Sequence, residues 1–376
     1  MRVTIVGAGA IGLSLAWELA RRHATVRVIE RSDAGRETSW AAAGILPATG
    51  IRNVEDPLER LRALSHKLHP DWANLLLDQT GIDCGLRRCG GIYLASSMGE
   101  AATLTGNLAY QHDQGIDVRS LTAEQLIEEE PAIAAWARSR QFRTAVLSPD
   151  EHQIRPPDQL AALLAACRGA GVTVEEHTMA KLEFHDGFAS VSTQSASAID
   201  SDAVADIVVI CGGAWTGQLA SSLGLGQSII PIRGQVLLYR FDTPPLTHIV
   251  NEGHRYLVPR EDGRLLIGSS EEEVGFQKGT TTEMLEPLRC WAESILPSLV
   301  GRTPEKAWSG LRPATFDGFP MIGKVPDIDN LYVAAGHYRS GIHLAPATAV
   351  VLADMMCGNQ PVLDTSAFSV GRMISV

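Results

Sequence analysis

The segment Gly7-Ala-Gly-Ala-Ile-Gly12 constrains this chain more than any other, because it joins the apolar run Val3-Thr-Ile-Val6 to a longer one ending at Ala20. Glycines at that spacing belong where a parallel strand turns into a helix. Gly7 permits the tight turn, Gly9 leaves the backbone bare toward a pyrophosphate, and Gly12 lets the helix lie close on the strand. A second apolar strand, Val26-Arg-Val-Ile29, ends at Glu30. The helix N-terminus then offers its unpaired N–H groups and positive dipole end to two phosphates. The Glu30 carboxylate can accept hydrogen bonds from an adenosine ribose and would repel a phosphate there. The unit predicts an adenine dinucleotide; a structural strand–turn–helix is the alternative that glycines alone leave open.

Composition narrows the setting. At 376 residues, with 45% hydrophobic and 20% charged content, the chain is long enough for two domains with cores of their own. A formal net charge of −11 argues against a nucleic-acid surface and gives no general attraction to an anionic membrane. Arg2 before an apolar stretch imitates a secretory leader, but the glycine spacing, Glu18 and the lack of a cleavage site favour a retained βαβ unit. No later segment has the long uncharged apolar run that a membrane span needs. Cys84, Cys89, Cys167, Cys211, Cys290 and Cys357 are scattered without a C-x-x-C pair, which fits a reduced, cytoplasmic protein. Cys84 and Cys89 read as small, partly buried thiols. His66 and His69 can share a helix face but lack a third ligand, so they read as solvated positions and no metal is expected.

Residues 57 to 79 predict an amphipathic helix whose stripe of Leu58, Leu61, Leu64, Leu68, Trp72, Leu75 and Leu76 is core. Gly90-Gly-Ile-Tyr-Leu-Ala95 reads as a strand entering a second domain, and Thr122-Ala-Glu-Gln125 as a capping box opening a short helix. A helix over 156–170 begins at Pro156-Pro157 and leads into the strand 172–174. A hairpin near 180–193 and a buried strand over 205–210 follow, the latter ending at Cys211-Gly-Gly-Ala-Trp-Thr216. Residues 229–269 alternate strands and turns, which predicts an antiparallel sheet. A helix over 281–296 precedes Trp308 and Gly310-Leu-Arg-Pro313, which are expected to lead back to the first domain. A last helix covers 342–358. With no linker or repeat, the expected fold is α/β: a doubly wound nucleotide-binding domain from 1–85, 150–228 and 313–376, interleaved with an α+β domain on a largely antiparallel sheet from 86–149 and 229–312.

Together with Glu30, the ordered set Gly7–Gly12, Ser39-Trp-Ala-Ala-Ala-Gly44, Cys211-Gly-Gly-Ala-Trp215, Gly310-Leu-Arg-Pro313, Asp317-Gly-Phe-Pro-Met-Ile-Gly323 and Gly336-His-Tyr-Arg-Ser-Gly341 resembles the flavin-dependent D-amino-acid oxidase superfamily, and within it the glycine oxidases. The resemblance runs from the first strand to the last helix. It implies FAD on a glutathione-reductase-like βαβ domain, with the second domain covering the flavin and enclosing an amine or amino acid. In that family a hydride passes from the substrate α-carbon to flavin N5, and water hydrolyses the resulting imine. Oxygen becomes hydrogen peroxide. With glycine the products would be glyoxylate and ammonia, and the imine can serve thiamine thiazole synthesis.

By the same resemblance, Arg312 anchors the substrate carboxylate through a two-pronged guanidinium contact; pairing with a structural acid such as Asp317 is the alternative. Tyr256 lines the substrate site or is a sheet tyrosine. His254 is polar lining or a hairpin position. Arg339 stands beside the flavin or in a structural ion pair. No base is required of these groups when the bound amine is already neutral. Around Ser340, Gly341 and Ile342 the backbone faces the flavin C2 carbonyl, where a helix N-terminus stabilises charge building on reduction. Ser39, Ala42, Ala43 and Gly44 approach the flavin or its phosphates, and Ala180 matches an adenine contact. Ala10, Ile11, Arg31, Gly212, Trp215, Arg312 and His337 complete the expected cofactor contacts.

No cysteine occupies the covalent-flavin position of related sarcosine oxidases near Leu311, so FAD is expected to be non-covalent. Glu271, in Gly268-Ser-Ser-Glu271, departs from the less polar side chain of some glycine oxidases and either shifts amine preference or points outward. A dehydrogenase passing electrons to a quinone or carrier, and a non-catalytic flavin-binding sensor, are the competing readings. The family includes tetramers, which implies a homo-oligomer.

Overall fold

The computed structural model describes residues 1–50, 54–194, 199–200 and 205–372. The opening apolar run forms the strand Arg2–Val6, which pairs in parallel with Thr25–Ile29 on one side and Ile207–Ile210 on the other. They sit inside a six-stranded sheet ordered Met321–Lys324, Leu331–Ala335, Ile207–Ile210, Arg2–Val6, Thr25–Ile29, Thr173–Glu175. Only the edge strand Met321–Lys324 runs antiparallel. Val3, Ile5, Val28, Val208, Val209 and Ile210 are buried because both faces of the sheet are covered.

On one face the helix Ala10–Arg21 packs against the final helix, Gly341–Met356, and against Pro57–Thr80 through an edge-on Trp17–Trp72 contact at 4.8 Å. The long helix has the expected stripe: Leu61, Trp72 and Leu76 are buried, and Leu58, Leu64, Leu68 and Leu75 pack against the same core. Asp56 caps its start by accepting from the Glu59 N–H, and Gly81 ends it in the left-handed region. His66 and His69 are not the solvated positions expected from the sequence. His69 is 3% exposed, with Nε2 2.9 Å from the His343 carbonyl oxygen, because this face of the helix lies on the final helix.

The second sheet has eight strands ordered Lys306–Ala314, Ile230–Arg240, Arg264–Gly268, Arg255–Pro259, Ile249–Glu252, Gly91–Ala95, Thr144–Ser148, Arg119–Leu121. All neighbours are antiparallel except Ile249–Glu252 with Gly91–Ala95. One face buries Leu237, Tyr239, Leu257 and Ile267 under Leu288, Trp291 and Ile295 of the helix Thr282–Ile295. The other face brings Val236, Tyr256, Val258 and Leu266 against Ala43.

Trp308 and Gly310–Arg312 lie in the edge strand of the second sheet, within the segment 229–312 expected to build it, and Pro313 continues the same strand. Thr38 donates to the Leu311 carbonyl at 2.6 Å, and Trp308 Nε1–H to that of Ala41 at 3.2 Å. A 16-residue helix, Met98–Asp113, occupies a stretch for which the sequence reading names no element. None of its residues is buried, so it has no apolar stripe; a capping box between Ser97 and Glu100 starts it.

Candidate active site

A cavity of 560 Å³ lies where the inner face of the eight-stranded sheet meets the glycine turns of the six-stranded one. The three glycines of the first turn have different duties. A Cβ on Gly7 would sit 2.4 Å from the Cys211 carbonyl oxygen, and one on Gly12 only 1.9 Å from the Gly7 carbonyl oxygen. These two let the turn, the neighbouring strand end and the helix close on each other. Gly9 differs, because a Cβ there would meet only Ser39 Oγ, at 3.3 Å, and Gly9 itself lines the cavity. As N-cap it makes no side-chain hydrogen bond, and the Ala10 N–H donates to Ser39 Oγ at 3.0 Å.

Glu30 closes the turn from behind. Its carboxylate accepts from the Ala8 N–H at 2.9 Å and from the N–H and hydroxyl of Ser32 at 3.1 Å. At the cavity's other wall the final helix starts at Gly341, again with no side-chain cap from Ser340, and Ser340, Gly341 and Ile342 line the space. His337 secures that turn: it is buried, with Nε2 3.0 Å from Thr348 Oγ1, and burial lowers its pKa to about 3, so it stays neutral. A bare glycine turn and two helix starts without side-chain caps, all facing one cavity, fit an adenine dinucleotide of flavin.

Arg312 projects from the edge strand across Gly234, where a Cβ would lie 2.1 Å from guanidinium Nη2. Nη2 donates to Ser269 Oγ at 2.7 Å and Nη1 to the Ser270 carbonyl at 3.2 Å, with Tyr256 alongside. Burial, and then Arg339, lower its pKa. Among the described residues it has no ion-pair partner, for Asp317 pairs instead with Arg372 at 2.8 Å. A half-buried guanidinium at a cavity wall, with no carboxylate in ion-pair contact among the described residues, favours an incoming anion, whose charge relieves the cost of desolvation. Arg339 donates to the His254 carbonyl at 3.0 Å and stands 3.8 Å from Glu271, which is 45% exposed. His254 lines the cavity too, and burial, then Arg255 and Arg339, lower its pKa.

Of the residues singled out in the sequence, Gly9, Ala10, Ile11, Ser39, Ala42, Ala43, Gly44, His254, Tyr256, Arg312, His337, Arg339, Ser340, Gly341 and Ile342 line this cavity. Gly44 has a second constraint: φ is +71° and a Cβ would lie 2.1 Å from the Ile154 carbonyl oxygen, so the chain's own backbone also requires glycine there. Glu30, Arg31, Ala180, Gly212 and Trp215 lie outside the lining. Arg31 stacks on the Trp215 ring at 3.7 Å, and Ala180 belongs to the hairpin Met179–His185 with Phe188–Gln194.

Sequence reasoning missed Tyr93, Asn251 and Arg62, which line the cavity from elements read as structural. Tyr93 and Asn251 face each other across the one parallel pair of the second sheet, and both bond to Glu151. That carboxyl is fully buried, and burial pushes its pKa up to about 7 against the opposing hydrogen bonds. No local signal marks the trio, since a non-consecutive strand pairing creates it.

A family model described as FAD dependent oxidoreductase matches residues 2–355. The chain is 33% identical to a glycine oxidase of Pseudomonas aeruginosa over 374 residues, covering 99% of each, and 34% identical to one of Geobacillus kaustophilus, covering 99% of this chain and 97% of the relative. It also matches the bifunctional protein ThiO/ThiG of a Synechocystis species at 30% identity, with 99% of this chain aligned to 54% of that protein. The crystal structure of the Geobacillus kaustophilus glycine oxidase superposes with a TM-score of 0.91 at 33% identity over the whole of both chains. Matched from its first strand to its last helix, the chain belongs to the FAD dependent oxidoreductase family.

Proposed function

We propose that this protein is an FAD-dependent oxidase that deaminates glycine or a small related amine. The observation that carries the reading is Arg312, half-buried at the cavity wall with no ion-pair partner among the described residues, in a chain that resembles glycine oxidases along its full length. The guanidinium takes the substrate α-carboxylate, and the adjacent Tyr256 hydroxyl adds a hydrogen bond to the same group. Arg339, held by the His254 carbonyl, sets the cationic side of the substrate space. Ser269 and the Ser270 carbonyl fix the plane of the Arg312 fork, which orients the α-carbon rather than merely binding it.

The first glycine turn would hold the pyrophosphate at Gly9, Ala10 and Ile11, and Glu30 the ribose. The Ser340–Ile342 helix start would face the polar edge of the flavin ring, where its dipole favours added negative charge. Bound FAD supplies a two-electron acceptor for the hydride leaving the α-carbon. No side chain need remove a proton from carbon when the amine binds neutral, and positioning carries the catalytic burden. The imine released hydrolyses to the oxo acid and ammonia, and molecular oxygen receives the electrons as hydrogen peroxide. The ThiO/ThiG relative supports use of the imine in thiamine thiazole assembly. Six free thiols support a reduced, cytoplasmic setting, and a homo-oligomer is the state we assign.

The test is the visible spectrum of the FAD-loaded protein as glycine is added without oxygen. Bleaching of the oxidised-flavin band, followed by one peroxide per glycine when air is admitted, is the expected result. A band indifferent to glycine, sarcosine and small D-amino acids would sink the reading. Bleaching without peroxide would mark a dehydrogenase.

A further inference from the structure

Just behind the cavity wall, where the His66 ring meets that of His343 at 6.0 Å, the long helix Pro57–Thr80 meets the turn after the strand Thr144–Ser148. His66 from the helix, Asp150 from the turn and His152 from the short strand that follows each offer one ligand atom, and the three atoms lie within 4.8 Å of one another. His66 Nε2 stands 3.6 Å from Asp150 Oδ2, a separation suited to two ligands of one tetrahedral ion with bonds of about 2.0–2.2 Å. His152 Nδ1 lies 3.0 Å from the Asp150 backbone carbonyl. Donation to that carbonyl keeps the proton on Nδ1 and leaves Nε2 a free lone pair, the tautomer a ligating histidine needs.

The surroundings are compatible with this use. Arg88 contacts the other carboxylate oxygen, Oδ1, at 3.0 Å, so it orients the group while Oδ2 stays turned toward His66. Among the described residues, His66 Nδ1 is buried with no hydrogen-bond partner. The two imidazoles meet edge to face at 4.9 Å. His66 and Asp150 side chains are 17% and 44% exposed, which leaves an ion a path from solvent. None of the three residues lines the flavin cavity.

We propose that His66, Asp150 and His152 bind a divalent transition cation of the zinc class, with water completing the coordination. Two imidazoles and one carboxylate suit such an ion better than calcium or magnesium, which prefer all-oxygen shells. The ion would clamp the long helix, which carries Glu59 and Arg62 to the cavity wall, onto the turn that precedes His152.

The test uses the full-length, FAD-loaded protein with Cys290→Ser and Cys357→Ser, since those two thiols are exposed and could take zinc themselves. Equilibrium dialysis against Zn²⁺ with elemental analysis is expected to find about one zinc per chain. His152→Ala and Asp150→Asn, each retaining bound flavin, are expected to weaken it by roughly tenfold or more. Absence of stoichiometric zinc in the parent, or zinc held at parental affinity by either variant, would overturn the assignment.

Discussion

Arg312 bears the largest burden of any single residue. Replacing it with alanine removes a charge-assisted contact worth about 2–3 kcal/mol, so glycine should bind roughly 30- to 160-fold more weakly. Anaerobic titration of the flavin spectrum reads this directly, and parental affinity would remove Arg312 from the site. His337 sets a pH dependence. Its pKa in the folded protein is about 3, against about 6.5 unfolded, so the unfolded chain binds more protons between those values. The stability it contributes is present above about pH 6.5 and is lost as pH falls toward 3. His69, lowered by burial to about 4, acts in the same sense. Thermal midpoints should therefore fall on acidification, and less steeply in His337→Asn. Burial also pushes the thiols of Cys84, Cys167 and Cys211 up to about 12. Mass spectrometry after brief alkylation of the native protein should find Cys290 and Cys357 modified first, because both are exposed.

At the scale of elements, the first turn separates packing from binding. Gly12→Ala would drive a methyl group to 1.9 Å from the Gly7 carbonyl oxygen, so the helix must move off the strand and both stability and flavin content should drop. Gly9→Ala meets only a serine hydroxyl, so a folded protein with weakened FAD affinity is expected. Comparing circular dichroism with bound flavin in the two variants checks the distinction; equal loss of structure would refute it. The helix Met98–Asp113 shows how an element escapes notice. Hydrophobic periodicity is silent for a helix that buries nothing, yet Ser97-x-x-Glu100 is the same capping signature that was legible at Thr122–Gln125.

For the whole molecule, the cavity is shared between the two sheets, and a ligand filling it binds only the assembled chain. FAD at a hundred times its dissociation constant should stabilise the folded state by about 2.7 kcal/mol. Calorimetry should show a midpoint that rises with FAD concentration. A midpoint insensitive to FAD would place the cofactor elsewhere. The loop 38–43 meets the second sheet through named contacts: Thr38 donates to the Leu311 carbonyl, Trp308 donates to that of Ala41, and Ala43 packs with Tyr256 and Val258. Changes there should therefore disturb flavin binding before they disturb either core.

The sequence by itself determined the βαβ nucleotide turn and the antiparallel bias of the second sheet, both written in local spacing: glycines that only a strand–helix turn demands and apolar runs of strand length. The doubly wound first sheet and the arginine that faces the cavity came from its resemblance to a known family, carried by an ordered set of short motifs. Tertiary structure alone decided which polar groups meet. Tyr93, Asn251 and Glu151 converge through a parallel pairing of strands far apart in the chain. Asp317 is claimed by Arg372 and so leaves Arg312 free for an anion. His69 is buried, and His66 finds Asp150 and His152, because one helix lies where two segments of the chain cross. Contacts of this kind depend on strand order and helix packing, which the spacing of residues along a single segment does not encode.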